Sequence, residues 1–282
     1  MNEVPFEALD AQRIGDLIAP SSRALLTELT VLAETDSTNS TLQALPTERQ
    51  HACAILAEHQ TRGRGRRERR WHSPPGCNVY LSLGWQFTHS VQPFSTLPLM
   101  VAVSTCRALT QCGLLGHGIK WPNDILTGGA KLAGILVEMK AAVAGPAHAV
   151  IGVGVNVNMS QDGSVQKHAD DSIEQRWTDI DSQMPAGSPS VSRNEVAATL
   201  LENLLLAARD YESTRFNSFQ AEWSGLDLLL GQKIAVEQNG SSTRGIARGI
   251  NSDGGLLLEV KGSEKGTQIH VFHAGEVSVK QD

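Results

Sequence analysis

The chain has 282 residues, 40% of them hydrophobic, with 24 Lys and Arg against 30 Asp and Glu for a formal net charge of -6. That length suits one large domain with a small one, or two modest domains. No apolar run approaches the roughly 20 residues of a membrane span, and the net negative charge argues against a broad nucleic-acid surface.

The N-terminus carries acids early and lacks the basic-then-apolar pattern of a secretory signal, so a soluble cytoplasmic protein is expected. Residues 7–18 read as a short helix, apolar at Leu9, Ile14, Leu17 and Ile18, followed by a strand over 29–34. Asp36, Ser37, Thr38 and Asn39 are four consecutive N-cap-type residues and predict a helix start ahead of residues 41–44. Short strands are expected over 52–57, 79–85, 119–121, 132–139 and 149–156, with a helix over 97–112. Strands and helices without regular alternation predict an α+β sheet flanked by helices. Residues 160–190 lose hydrophobic periodicity and read as a surface excursion with a packed turn at 173–177. Ser192 to Glu195 is a capping box that opens a helix running toward Tyr211. Beyond residue 226, strands over 233–237, 242–250, 255–260 and 267–272 are punctuated by glycine turns, which predicts a small β-barrel. Cys53, Cys77, Cys106 and Cys112 contain no C-x-x-C pair and read as reduced, mostly buried thiols.

Three segments carry chemistry. Residues 61–71, TRGRGRRERRW, hold six arginines and two glycines. A basic run by itself reads as a solvated or nucleic-acid-binding face. Here glycines alternate with arginines after a buried strand, so backbone can approach a ligand while guanidinium forks reach a phosphate. Lys120-Trp121-Pro122-Asn123-Asp124 and Lys131-Leu132-Ala133-Gly134-Ile135-Leu136 place two lysines and an acid near a glycine. A lysine leading an apolar strand is often a snorkelling edge residue; the cluster equally suits carboxylate and phosphate oxygens. Gly152-Val153-Gly154 marks a strand against whose bare backbone something packs. There is neither a dinucleotide fingerprint nor a P-loop, and no Ser–His or Cys–His nucleophile pairing stands out.

Together these motifs resemble the biotin protein ligase family. Residues 36–39, Glu58-His59-Gln60, 63–67, Trp71, 120–124, 131–136 and 152–158 follow that family's order and spacing, and the C-terminal module, with Arg248-Gly249-Ile250, is similar to theirs. The resemblance runs from about Leu32 to the end, leaving residues 160–190 unmatched. It implies a mixed β-sheet flanked by helices, of the class II aminoacyl-tRNA-synthetase-like kind, over residues 1–225, and a small SH3-like β-barrel over 226–282. It implies ATP-dependent formation of biotinyl-5′-AMP and transfer of biotin to a lysine of a biotin carboxyl carrier protein or carboxylase domain, with Mg²⁺ assisting and no dedicated protein metal site. Carried over by residue, Ser37, Thr38, Asn39 and Gln60 would bind the ureido ring, with Gly134 and Leu136 as pocket wall. Arg64, Gly65 and Arg66 would close over the adenylate, and Arg67, Trp71, Asn123 and Asn156 would contact ATP. Lys131 would hold the biotin carboxylate and the α-phosphate, Lys120 would support the phosphates, and Asp124 would orient or deprotonate the incoming lysine. Glu68 departs from the family, standing where its arginine loop has a glycine. Only 35 residues precede Asp36, so a ligase without the DNA-reading module of the bifunctional members is expected, with no DNA partner and no membrane. Monomer and homodimer both stay open. Lipoate ligases, the sister family, differ in the arginine motif; a nucleic-acid-binding protein would leave the lysine and glycine segments unexplained.

Overall fold

The computed structural model describes residues 7–88, 94–141, 146–159, 176–185, 187–188, 190–261 and 266–279. Its larger sheet has seven strands, β1 (Glu28–Thr35), β2 (Cys53–Gln60), β3 (Asn78–Phe87), β4 (His117–Lys120), β5 (Asp124–Thr127), β6 (Ala130–Ala141) and β7 (Ala147–Asn156), in the order β1-β2-β3-β7-β6-β5-β4. β1 and β2 are parallel and every other pairing is antiparallel. The sheet is mixed and flanked by helices, as expected.

Period-two alternation sorts its side chains onto two faces. Val79, Leu81, Leu83, Trp85 and Phe87 of β3 join Ile151, Val153 and Val155 of β7 in the main core. Helices α5 (Leu97–Gln111) and α7 (Arg193–Thr214) supply the facing layer of that core. Ser192 caps α7 as predicted, accepting from the Glu195 amide at 3.3 Å. On the opposite face, α3 (Thr38–Ala44) packs Leu42 against Cys53, Ile55 and Val150. This second face carries Ser82, Gly152, Gly154, Gly134, Leu136 and Glu138, because each lies an even number of residues from its neighbours on the same strand.

The helix read over 7–18 begins later. α1 spans Ala11–Leu17 with Asp10 as cap, and Glu7 reaches back to accept from the Arg193 amide of α7 at 2.7 Å. The four residues of α2 (Pro20–Arg23) make one short turn, as do α4 (Thr47–Gln50) and α6 (Ile180–Gln183). Of the excursion expected over 160–190, residues 176–185, 187–188 and 190 are described. Residues 173–175 of its predicted turn lie outside the described residues. At its end, Ile180 is fully buried and residues 176–178 are sewn to β6 through Lys131 N to Arg176 O (2.8 Å) and Thr178 N to Lys131 O (2.9 Å).

After α8 (Gln220–Leu226), the smaller sheet is antiparallel: β8 (Lys233–Gln238), β9 (Ser241–Ile250), β10 (Leu256–Lys261), β11 (Thr267–Phe272) and β12 (Glu276–Val279), ordered β11-β10-β9-β8-β12. It is the separate C-terminal SH3-like module expected. Asn239 and Gly240, both at positive φ (51° and 75°), make the predicted tight turn. Trp121, 2% exposed, ties the module to the larger sheet by donating its indole N–H to Gly254 O at 3.0 Å. Among the described residues no helix is long and apolar enough to cross a membrane. The four cysteines are free thiols; burial pushes the Cys53 thiol up to about 11.

Candidate active site

A polar pocket forms where α3 meets the second face of the sheet. Ser37, Thr38, Asn39 and Gln60 are all buried there. Ser37 occupies the cap position with extended backbone, but its hydroxyl makes no capping bond. Thr38 N donates to Gln60 Oε1 at 3.0 Å, and Gln60 Nε2 donates to Ser73 Oγ at 3.0 Å. The Ser82 hydroxyl lies 2.8 Å from Thr38 Oγ1 and donates to Asn39 Oδ1 at 2.5 Å. Asn39 Nδ2 donates to Glu138 Oε2 at 2.8 Å. Sequence reasoning missed Ser73, Ser82 and Glu138. The available signal was a serine inside the buried strand VYLSLGW and a glutamate interrupting an apolar strand, since a buried polar group needs a partner.

The glycines of β6 and β7 exist to admit side chains onto bare backbone. A Cβ on Gly152 would stand 2.4 Å from Asn39 Oδ1. One on Gly134 or Gly154 would stand 2.7 Å from the Trp71 indole. Trp71 therefore lies flat across both strands, and the space beside Gly134 holds that ring. Lys131 Nζ sits 5.2 Å from the Trp71 ring, within cation–π range.

A β-bulge brings Lys131 to this face. Ile125 pairs with Ala133, but Leu126 pairs with Lys131, so one extra residue, Leu132, is accommodated between them. Leu132 and Ala133 are both fully buried in the main core. Lys131 is thereby turned to the side of Gly134, as bulges re-aim side chains. Its Nζ lies 2.8 Å from Asp124 Oδ1. Lys120 and Asp124 face each other across the β4–β5 hairpin, whose turn contains a cis Trp121–Pro122 peptide. Burial lowers the Lys120 pKa and the Lys131 charge adds to this, while Asp124 opposes it. Asn123 fastens the turn by donating to Ile135 O at 2.9 Å and accepts from Arg66 Nη1 at 3.1 Å. Asn156 donates to Thr178 O at 3.0 Å and to Lys131 O at 3.4 Å.

The arginine segment is a narrow hairpin. Trp71 N donates to Gly63 O (2.9 Å), Gly65 N donates to Arg69 O (2.7 Å), and Arg64 bridges Arg70. A 3-10 turn at Arg66–Glu68 closes it, with Arg67 and Glu68 both in the left-handed region at φ 54° and 61°. Gly63 and Gly65 fit because a Cβ on Gly63 would collide with Ser73 Oγ at 2.6 Å and one on Gly65 would crowd Arg69 O at 3.3 Å. The hairpin, with Leu136 and Glu138, bounds a cleft of about 680 Å³. Arg64 Nη2 lies 2.7 Å from Glu138 Oε2, and Arg67 lies 3.7 Å from Glu276 of β12, which Arg69 also contacts. Burial lowers the Arg66 pKa, and neighbouring Arg67 acts in the same direction.

The structure thus joins Ser37, Thr38, Asn39, Gln60, Leu136 and Gly134 with Arg64, Gly65, Arg66, Arg67, Trp71, Lys120, Asn123, Asp124 and Lys131 along one face. Among the described residues no group of three His, Cys, Asp or Glu could hold a metal ion. Asp124, Glu138 and Glu276 each face a cationic side chain instead.

The sequence profile of the Biotin/lipoate A/B protein ligase family matches residues 31–156, and that of the Biotin protein ligase C terminal domain matches residues 229–280. The chain is 32% identical over 276 residues to the bifunctional ligase/repressor BirA of Salmonella typhimurium, covering 98% of this chain and 80% of that one. It is 33% identical over 243 residues to the biotin--[acetyl-CoA-carboxylase] ligase of Mycobacterium tuberculosis, covering 83% and 84%. The fold is that of the Aquifex aeolicus biotin protein ligase solved with biotin and ATP, at a TM-score of 0.72 and 23% identity over 90% of this chain and 100% of that one. Sequence kinship that runs through both sheets places the chain in the biotin protein ligase family of enzymes.

Proposed function

We propose that the enzyme joins biotin to a lysine of a biotin carrier domain in two steps through biotinyl-5′-AMP, acting as a ligase and not as a repressor. The observation that carries this reading is the bulge that stands Lys131 between the polar pocket and the arginine hairpin. Ser37, Thr38, Asn39 and Gln60 bind the ureido ring, and Leu136, with the Trp71 ring seated on Gly134, walls the chain that leads to the carboxylate. Lys131, with Lys120 and Arg66 beside it, neutralises the carboxylate and the α-phosphate where they meet. A carboxylate oxygen attacks the α-phosphorus and the bond to the β-phosphate breaks, releasing pyrophosphate. The carrier lysine amine then attacks the acyl carbon, AMP leaves, and Asp124 receives or orients the amine proton. Arg64, Gly65, Arg67 and Trp71 cover the adenylate and keep water from it. Asn123 holds Arg66, and Asn156 fixes the strand carrying Lys131. Mg²⁺ would arrive on the phosphates of ATP with its waters, which suits a site whose carboxylates already face cations.

Four of the six arginines, Arg64, Arg66, Arg67 and Arg69, engage Glu138, Asn123 and Glu276 of this chain, which supports the ligase over a nucleic-acid-binding reading. The carrier is inferred to be a carboxylase domain, the compartment cytoplasmic, and the boundary between catalytic and C-terminal units at residue 226. ATP–pyrophosphate exchange tests the reading: exchange that requires biotin, fails with lipoate and disappears in Lys131→Ala is the expected result. Exchange with lipoate alone would move the protein to the sister activity.

A further inference from the structure

We propose that Glu138 is a positioning residue of the biotin pocket, which acts by deciding how the Asn39 amide is turned. This rests on the ligase reading above. An amide has one accepting end and one donating end, and a pocket for a ureido ring must present the correct one. Asn39 Oδ1 is occupied by the Ser82 hydroxyl at 2.5 Å and lies against Gly152. Its Nδ2 donates one hydrogen to Glu138 Oε2 at 2.8 Å. The other has only a long 3.4 Å contact with Leu136 O, so it is the hydrogen a ligand carbonyl takes over. Serine can donate or accept and would tolerate a flipped amide. A carboxylate only accepts, so Glu138 enforces the orientation. Glu138 is also the acceptor for Arg64 Nη2 at 2.7 Å, so the pocket and the arginine hairpin meet on one oxygen.

Two variants separate these contacts. Glu138→Ala removes the acceptor for Asn39, whereas Glu138→Gln retains an amide oxygen that accepts from Nδ2 but loses the charge that holds Arg64. Calorimetric titration of the full chain with biotin alone and with ATP alone gives a readout independent of turnover. Glu138→Ala is expected to weaken biotin about tenfold, as loss of a hydrogen bond to a charged group does. ATP affinity should fall less than biotin affinity, since only the Arg64 contact bears on it; Glu138→Gln, whose amide can donate as well as accept, should fall between the parent and the alanine for biotin; and adding Asn39→Ala to Glu138→Ala should cost little more. Unchanged biotin affinity in Glu138→Ala would overturn the assignment, as would equal loss for biotin and ATP, or a full further loss on adding Asn39→Ala. If the unaltered chain bound no biotin, the ligase reading itself would fall, a result distinct from any of these.

Discussion

The ammonium of Lys131 and the carboxylate of Asp124 lie 2.8 Å apart, both largely sheltered from solvent, on strands that a bulge has shifted out of register. In the proposed mechanism the pair gives each half-reaction its own charged group. Lys131→Ala should lower biotin-dependent pyrophosphate exchange by about 100-fold or more, the usual cost of removing a preorganised charge. Asp124→Asn should spare exchange relative to transfer, which should fall by roughly 100-fold, the contribution of a positioned base. Exchange and transfer of labelled biotin to a carrier domain, measured in parallel, check this; equal loss in both would remove Asp124 from the second step.

Trp71 and Gly154 predict a coupled pair. Gly154→Ala sets a methyl about where the indole lies, since a Cβ there would be 2.7 Å from the ring. Overpacking of this kind costs about 1–3 kcal/mol. The same substitution in a Trp71→Ala background should cost much less, because the obstacle is gone. Urea denaturation of the four proteins measures the difference, and simple additivity would refute the contact.

Glu68 should behave oppositely to an ordinary surface residue. At φ 61° it holds a left-handed conformation that costs an L-residue roughly 1–2 kcal/mol. Glu68→Gly should therefore leave the protein as stable or stabilise it slightly, while a β-branched Glu68→Val should destabilise it further. Thermal midpoints decide the order, and a glycine less stable than the valine would contradict it.

Lys120 links pH to both activity and stability. Its folded pKa lies below the ordinary lysine value because burial disfavours the ammonium. Below both values the group lowers stability, and because the unfolded chain binds more protons between them, that penalty is relieved as pH rises from the depressed folded value to the unfolded one. Exchange should thus fall on the alkaline side earlier than an unperturbed lysine would require, and Lys120→Arg should move that limb upward. Lys120→Met should raise the thermal midpoint at pH 7 while abolishing exchange. A more labile Lys120→Met would show that the ammonium is not paying a desolvation penalty.

Long, strongly periodic elements were legible from the chain alone. Alternating apolar residues marked β3, β6 and β7, and the capping box marked the start of α7. Four-residue elements such as β5 and β12 were not, because so few residues carry no readable period and their existence depends on strand neighbours. The same limit explains the helix start misplaced by Glu7, whose carboxylate serves a helix almost two hundred positions away.

For the site, sequence by itself determined the chemical inventory: which arginines, lysines and glycines occur, in what order, and hence the kinship they express. Only the tertiary structure decided how those groups face one another. Whether Lys131 pointed to the core or to the pocket turned on one bulge, and the partners Ser82, Glu138 and Glu276 came from strands distant in the chain. A side chain's face depends on strand register, and register is settled by pairing between segments, which no local stretch of sequence contains.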